Sequence, residues 1–136
     1  MSALRARAPL GLAGVFVATG ALHFVRPAFF DGLMPRVLPS WLHRPLIYGS
    51  GVVELACAYG LVRRARWAGP ASTALLLAVW PANLQMALDA GTGRHPGGMD
   101  SPLVAWGRMP LQLPMLWAAR EVTRQTTGRR SPDLPV

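Results

Sequence analysis

Apolar residues gather in four runs, 8–25, 45–62, 67–88 and 102–119, separated by proline-rich, glycine-rich or arginine-rich breaks. Each run is roughly 18 to 22 residues long, which at 1.5 Å rise per residue matches a hydrocarbon core of about 30 Å. The pattern predicts an all-α protein, a polytopic membrane four-helix bundle filling residues 1–120. The first helix should stop before Pro27, because proline disfavours helical geometry in the residue ahead of it. The connection 26–44 is proline-rich yet carries Phe29, Phe30, Leu33, Met34, Val37, Leu38, Trp41 and Leu42. It reads as short helical turns at the membrane interface, serving either as a cap on the bundle or as a simple tether. Residues 63–66 predict a tight turn between antiparallel neighbours. The link 89–101, with Gly91, Gly93, Gly97 and Gly98, predicts an exposed, flexible loop, with Gln85 and Asp89 solvated beside it. Residues 121–136 lose apolar periodicity and predict a disordered basic tail.

Composition agrees with a membrane setting: 51% of the 136 residues are hydrophobic and 15% charged, too apolar for an ordinary soluble domain. All fourteen basic residues are arginine and the net charge is +8, a balance that taken alone fits a nucleic-acid partner. Their positions point to lipid instead. Arg5, Arg7, Arg63, Arg64, Arg66, Arg120, Arg124, Arg129 and Arg130 fall at one end of the predicted bundle, against Arg26, Arg36, Arg44, Arg94 and Arg108 elsewhere. The positive-inside rule then puts both termini in the cytoplasm, and each surface arginine contributes about 1 kcal/mol toward anionic lipid. The start of the chain also resembles a signal peptide, with Ala18-Thr19-Gly20 as a cleavage-like stretch, but the apolar run continues to Val25. Cys57, the single cysteine, cannot form an intrachain disulfide and reads as a packing residue. Small residues at four-residue spacing, Gly14/Ala18, Ala56/Gly60 and Ala74/Ala78/Ala82, permit close helix packing in lipid.

Against this background the polar residues inside the runs stand out: His23, Glu54, Asn83, Arg108 and Gln112. A carboxylate or guanidinium at the centre of a membrane helix costs about 2.5 to 3.5 kcal/mol on insertion scales, so it normally faces a protein interior and a partner. With the termini inside, His23 lies about 3 Å, Asn83 about 8 Å, Arg108 about 9 Å and Glu54 about 14 Å below the outer ends of their runs. Gln112 shares a face with Arg108 and Ser50 with Glu54, each at i, i+4. All therefore belong to the outer half. Glu54 and Arg108 have the strongest electrostatic reason to meet, either as a structural lock or as part of a ligand or proton site. His23 fits an acid/base role or a histidine held by a carbonyl. Asn83 fits either the same cluster or repair of the helix break at Pro81, which deprives the Leu77 carbonyl of its donor. Pro110 and Pro114 open the ladder around Gln112 in the same way. No HExxH, CxxC, Walker or dinucleotide-binding pattern occurs, and three histidines with one cysteine make no metal site. The methionines read as packing residues.

The ordered series Gly20, His23-Phe24, Pro27, Phe30, Met34-Pro35, Leu38-Pro39, then Ser50-Gly51, Glu54 and Gly60, then Pro81-Ala82-Asn83 and Met86, then Arg108, Pro110 and Gln112 resembles the DoxX-like family of small bacterial membrane proteins. The resemblance covers roughly residues 14 to 120, and its specificity lies in the series. It implies a four-helix fold in the bacterial cytoplasmic (inner) membrane and marks His23, Glu54, Asn83, Arg108 and Gln112 as pattern positions. The family takes its name from a subunit associated with thiosulfate:quinone oxidoreduction, and some relatives are linked to membrane redox or thiol-stress complexes. The resemblance thus implies an accessory role beside a membrane or peripheral redox protein, with quinone as the candidate small molecule and no certain cofactor. A second cysteine is lacking, so the chain reads as a non-catalytic subunit rather than an enzyme by itself. Extra Pro114 and the glycine-rich connection depart from the family pattern. Two other readings fit the residues: an assembly scaffold, alone or as an oligomer, and a small proton-coupled exporter using Glu54.

Overall fold

The computed structural model of the chain describes residues 3–95 and 97–128, and among these it is helical with no strand. Four long helices, α1 (Ala3–Val25), α3 (Ser40–Val62), α4 (Ala68–Asp89) and α5 (Pro102–Thr127), are joined by a short helix α2 (Ala28–Asp31) and a 3-10 turn (Gly97–Asp100). The all-α expectation holds. Helices α1, α3 and α4 are long and apolar enough to cross a membrane. α5 carries Arg108, Pro110, Gln112, Pro114, Arg120, Glu121 and Arg124 along its length, and it falls below the same apolar measure.

α1 packs chiefly on α3 and α4 on α5, with α1·α5 and α3·α4 closing the ring. Neighbours run antiparallel: Gly20 faces Leu55 and Gly51 faces His23 across α1–α3, while Gly69 meets Ala119 and Thr123 across α4–α5. These glycines bring the backbones together. A Cβ on Gly51 would lie 2.8 Å from that of His23, and one on Gly69 would lie 2.9 Å from the Ala119 carbonyl oxygen. Hydrogen at these positions sets the interhelical spacing in lipid, where close packing replaces the hydrophobic drive. The predicted Gly14/Ala18 and Ala74/Ala78 pairs point outward instead, and Gly14 has no neighbour to approach.

Leu12, Ala13, Phe16, Cys57, Ala58, Leu61, Ala68, Leu76, Ala118, Ala119 and Val122 form a dry core in the half that contains the 63–67 turn. That turn closes with Ala65 N–H on the Gly60 carbonyl (2.8 Å) and Arg64 N–H on that of Leu61 (3.1 Å), with Arg64 left-handed at φ 52°. This is a Schellman helix stop, and it explains the tight reversal. Large apolar side chains cover much of the outer surface, including Val17, Val52, Tyr59, Leu77 and Leu113.

Four features differ from the sequence expectation. α1 starts at Ala3 rather than 8. α3 starts at Ser40 rather than 45, because extended Pro39 (ψ 142°) launches the helix and Leu42 N–H reaches its carbonyl at 2.9 Å. The connection is therefore 26–39 and contains α2. α5 continues past 120 to Thr127, so the predicted tail is helical as far as that residue. Glu121 and Val122 are buried there, and Gln125 donates to the Arg5 carbonyl at 3.0 Å. The remaining stretch, 129–136, lies outside the described residues. The 89–101 link is organised rather than loose. Gly91 and Gly93 take left-handed φ values (83° and 75°), Gly91 N–H bonds the Asp100 carbonyl at 2.7 Å, and Gly93 N–H bonds its carboxylate at 2.9 Å.

Candidate functional site

Beneath the connection 26–39 the four long helices part around a cavity of about 280 Å³. Its apolar wall includes Phe16, Leu33, Leu75, Val79, Leu111 and Met115, and its polar wall consists of Thr19, His23, Ser50, Glu54, Asn83, Arg108 and Gln112. All five residues singled out from the sequence meet at this one space. The volume lies near the lower end for small-molecule sites, about 300–1,000 Å³, and the mixture of apolar wall and few polar groups is typical of them.

One polar group centres on Glu54, which is buried. Its Oε2 is 2.6 Å from Thr19 Oγ1 and 3.7 Å from His23 Nδ1. The Gly20/Gly51 contact between α1 and α3 creates this proximity. His23 Nδ1 is 2.7 Å from the Thr19 carbonyl oxygen, which only accepts, so Nδ1 carries the proton. The imidazole lies flat on Phe30, with ring centroids 3.7 Å apart and planes 14° from parallel. Thr19 has a single hydroxyl hydrogen and two neighbours for it, Glu54 and the Val15 carbonyl at 3.0 Å. Ionised Glu54 accepts that hydrogen. Protonated Glu54 donates to Thr19, which then donates to Val15. The geometry accommodates both states without moving a heavy atom.

The predicted Glu54–Arg108 pair does not form. Arg108 Nη1 instead contacts the thioether sulfurs of Met86 (3.5 Å) and Met99 (3.8 Å), both weak acceptors. No carboxylate lies within ion-pair distance of this guanidinium among the described residues. Both residues line the same cavity, but α3 turns Glu54 toward α1, where Thr19 and His23 take it. Gln112 donates its side-chain amide to the Leu76 carbonyl of α4, next to the Leu77 carbonyl that Pro81 leaves without its helical donor. Asn83 lines the cavity, with no side-chain hydrogen bond among the described residues.

The connection 26–39 is a cap. Phe30, Leu33 and Met34 line the cavity, and Arg36 reaches across to the carboxylate of Asp89 at the end of α4. Asp89, predicted to be solvated, is buried; it also accepts from Gln85 at 3.0 Å. Arg44 pairs with Asp31 at 3.2 Å on the other side of the cap.

Thr19 goes unassigned in the sequence, whereas Phe30 and Met86 stand there as pattern positions and Met99 as a packing residue; the structure sets Phe30 against His23 and both methionines against Arg108. Thr19 had a signal, standing one helical turn before His23 on the same face. Phe30 stood in the ordered series, but its stacking on His23 depends on how the chain folds back after Pro27. Among the described residues no three His, Cys, Asp or Glu side chains gather as a metal site would require.

Residues 12–123 match a family model described as a domain of unknown function (DUF8561), and the chain belongs to that family. No curated protein and no solved structure matches it.

Proposed function

We propose that this member of the DUF8561 family is an integral protein of the bacterial cytoplasmic membrane that crosses it four times with both termini inside. In this reading its cavity holds a quinone-like or other amphipathic small molecule for a membrane redox partner. Support for the fourth crossing comes from α5 itself, whose Leu103, Trp106, Leu111, Leu113 and Trp117 are exposed while Gln112 is buried and Arg108 lines the cavity. Support for the orientation comes from Arg5, Arg7, Arg63, Arg64, Arg66, Arg120 and Arg124, all exposed at the end opposite the cap.

The observation that carries the binding reading is convergence: His23, Glu54, Asn83, Arg108 and Gln112, from all four long helices, line one capped, largely apolar cavity. Polar groups this costly to bury are retained in membrane helices where they meet a substrate, an ion or each other. The redox assignment rests on the DoxX-like resemblance, with His23 and Asn83 as hydrogen-bonding groups and the partner as the site of electron transfer.

Native mass spectrometry of gently extracted protein, with bound small molecules released and identified, tests this. A stoichiometric amphipathic ligand lost in Glu54→Gln and Arg108→Ala, both correctly folded, is the expected result. Ligand occupancy unaffected by both substitutions would overturn the assignment.

A proton-coupled exporter is the second reading, because Arg108 does not neutralise Glu54 and the Thr19–Glu54 contact serves both protonation states. Proton-driven uptake into vesicles, abolished by Glu54→Gln, would favour it over an accessory subunit.

A further inference from the structure

We infer that the molecule held in this cavity carries an anionic oxygen group on an apolar body, and that Arg108 receives the anion. The inference rests on the binding reading above and narrows its ligand class.

The cavity has two charged walls in unequal states. On the α1–α3 side, Glu54 has the Thr19 hydroxyl at 2.6 Å, a partner that fits it in either protonation state. On the α4–α5 side, Arg108 has five N–H donors, and among the described residues the polar contacts of its guanidinium are two thioether sulfurs at 3.5 and 3.8 Å. Thioethers carry no charge and accept weakly. A guanidinium in apolar surroundings calls for an acceptor with charge and at least two lone-pair directions, as a carboxylate, a phosphate or an ionised quinol oxygen provides. A neutral ketone could accept hydrogen bonds but would leave the cation's charge uncompensated.

Leu75, Val79, Leu111 and Met115 line the same space and offer the apolar body its surface. The anion also suits the opposite wall: with Nδ1 of His23 committed to the Thr19 carbonyl, the charge is best placed away from Glu54, on the Arg108 side.

Decanoate and decanol share a chain and differ in the head, which makes them suitable probes for the full-length protein in nanodiscs. Isothermal titration at neutral pH should give one decanoate per chain, bound roughly tenfold or more tightly than decanol. Arg108→Gln should remove the preference, Arg108→Lys should retain most of it, and Arg124→Gln on the exposed basic end should leave it intact. Equal binding of the two probes would overturn the inference. So would a preference that survives Arg108→Gln but vanishes in Arg124→Gln, which would assign it to the basic surface. Ala82→Phe, which fills the cavity, separates the two levels of the claim. Loss of both probes in that variant without any anion preference in the parent sinks the ligand class alone, whereas binding that ignores Ala82→Phe sinks the site itself.

Discussion

The half of the molecule containing the 63–67 turn is dry and tightly packed, whereas the half beneath the cap opens into a largely apolar cavity where the polar groups gather. In the first, Leu61, Ala68 and Ala119 are fully buried, and Gly69 lets α4 lie against the α5 backbone. In the second, the same helices separate around a cavity that contains Glu54 and Arg108. One set of helices therefore divides its labour along its length. Contact between backbones at one end fixes where the side chains stand at the other, so the polar end can forgo dense packing. Proteins commonly tolerate such loosely packed, polar regions where function requires them.

The contrast is broken most forcefully at Gly69. Leucine there would drive into Ala119 and Thr123 backbone atoms, and overpacking of this kind should cost about 3 kcal/mol or more, measured as a lowered unfolding midpoint in detergent. Ala82→Phe, a larger addition of volume at the cavity wall, should cost far less. Equal losses at the two sites would erase the distinction between the halves.

A smaller effect is expected at Phe30, which joins the cap to the site by stacking on His23. Phe30→Ala should cost about 1 kcal/mol of stability while accelerating amide exchange in 26–39 selectively. Uniform acceleration across all helices would argue against an independently opening cap.

The smallest effect concerns the 89–101 link. The Gly93 N–H holds the Asp100 carboxyl below its ordinary value of 3.8. A depressed carboxylate stabilises the folded loop in its ionised form, so this contribution is complete at neutral pH and is lost as pH falls below the ordinary value through the folded one. The protection factor of the Gly93 amide, its exchange corrected for the intrinsic pH dependence, should therefore fall on acidification over that window, and Asp100→Asn should remove most of that pH dependence. A flat profile in the parent protein would deny the carboxylate that role.

How far the sequence discloses this arrangement depends on which coordinate is asked for. Depth along a helix follows from counting residues, and so His23, Glu54, Asn83, Arg108 and Gln112 are legible as one layer. Rotation about the helix axis does not follow from counting, and this is why Glu54 meets Thr19 and His23 rather than Arg108. Helix ends are obscured for another reason. Hydropathy marks the width of a bilayer, whereas α5 goes on past that width, burying Glu121 and Val122 near the start of α1. Asp89 illustrates long-range pairing: its partner Arg36 comes from a loop whose path no local pattern encodes.

The meeting of Gly20 and Gly51 has a consequence for the membrane in which the protein resides. Two helices touching backbone to backbone have no side-chain cushion to compress, so a thicker or thinner bilayer must tilt α1 and α3 together rather than slide one along the other. The imidazole of His23 and the carboxylate of Glu54 ride on that shared lever. Their separation should then stay constant as lipid chain length changes, making the site indifferent to the mechanical state of its solvent.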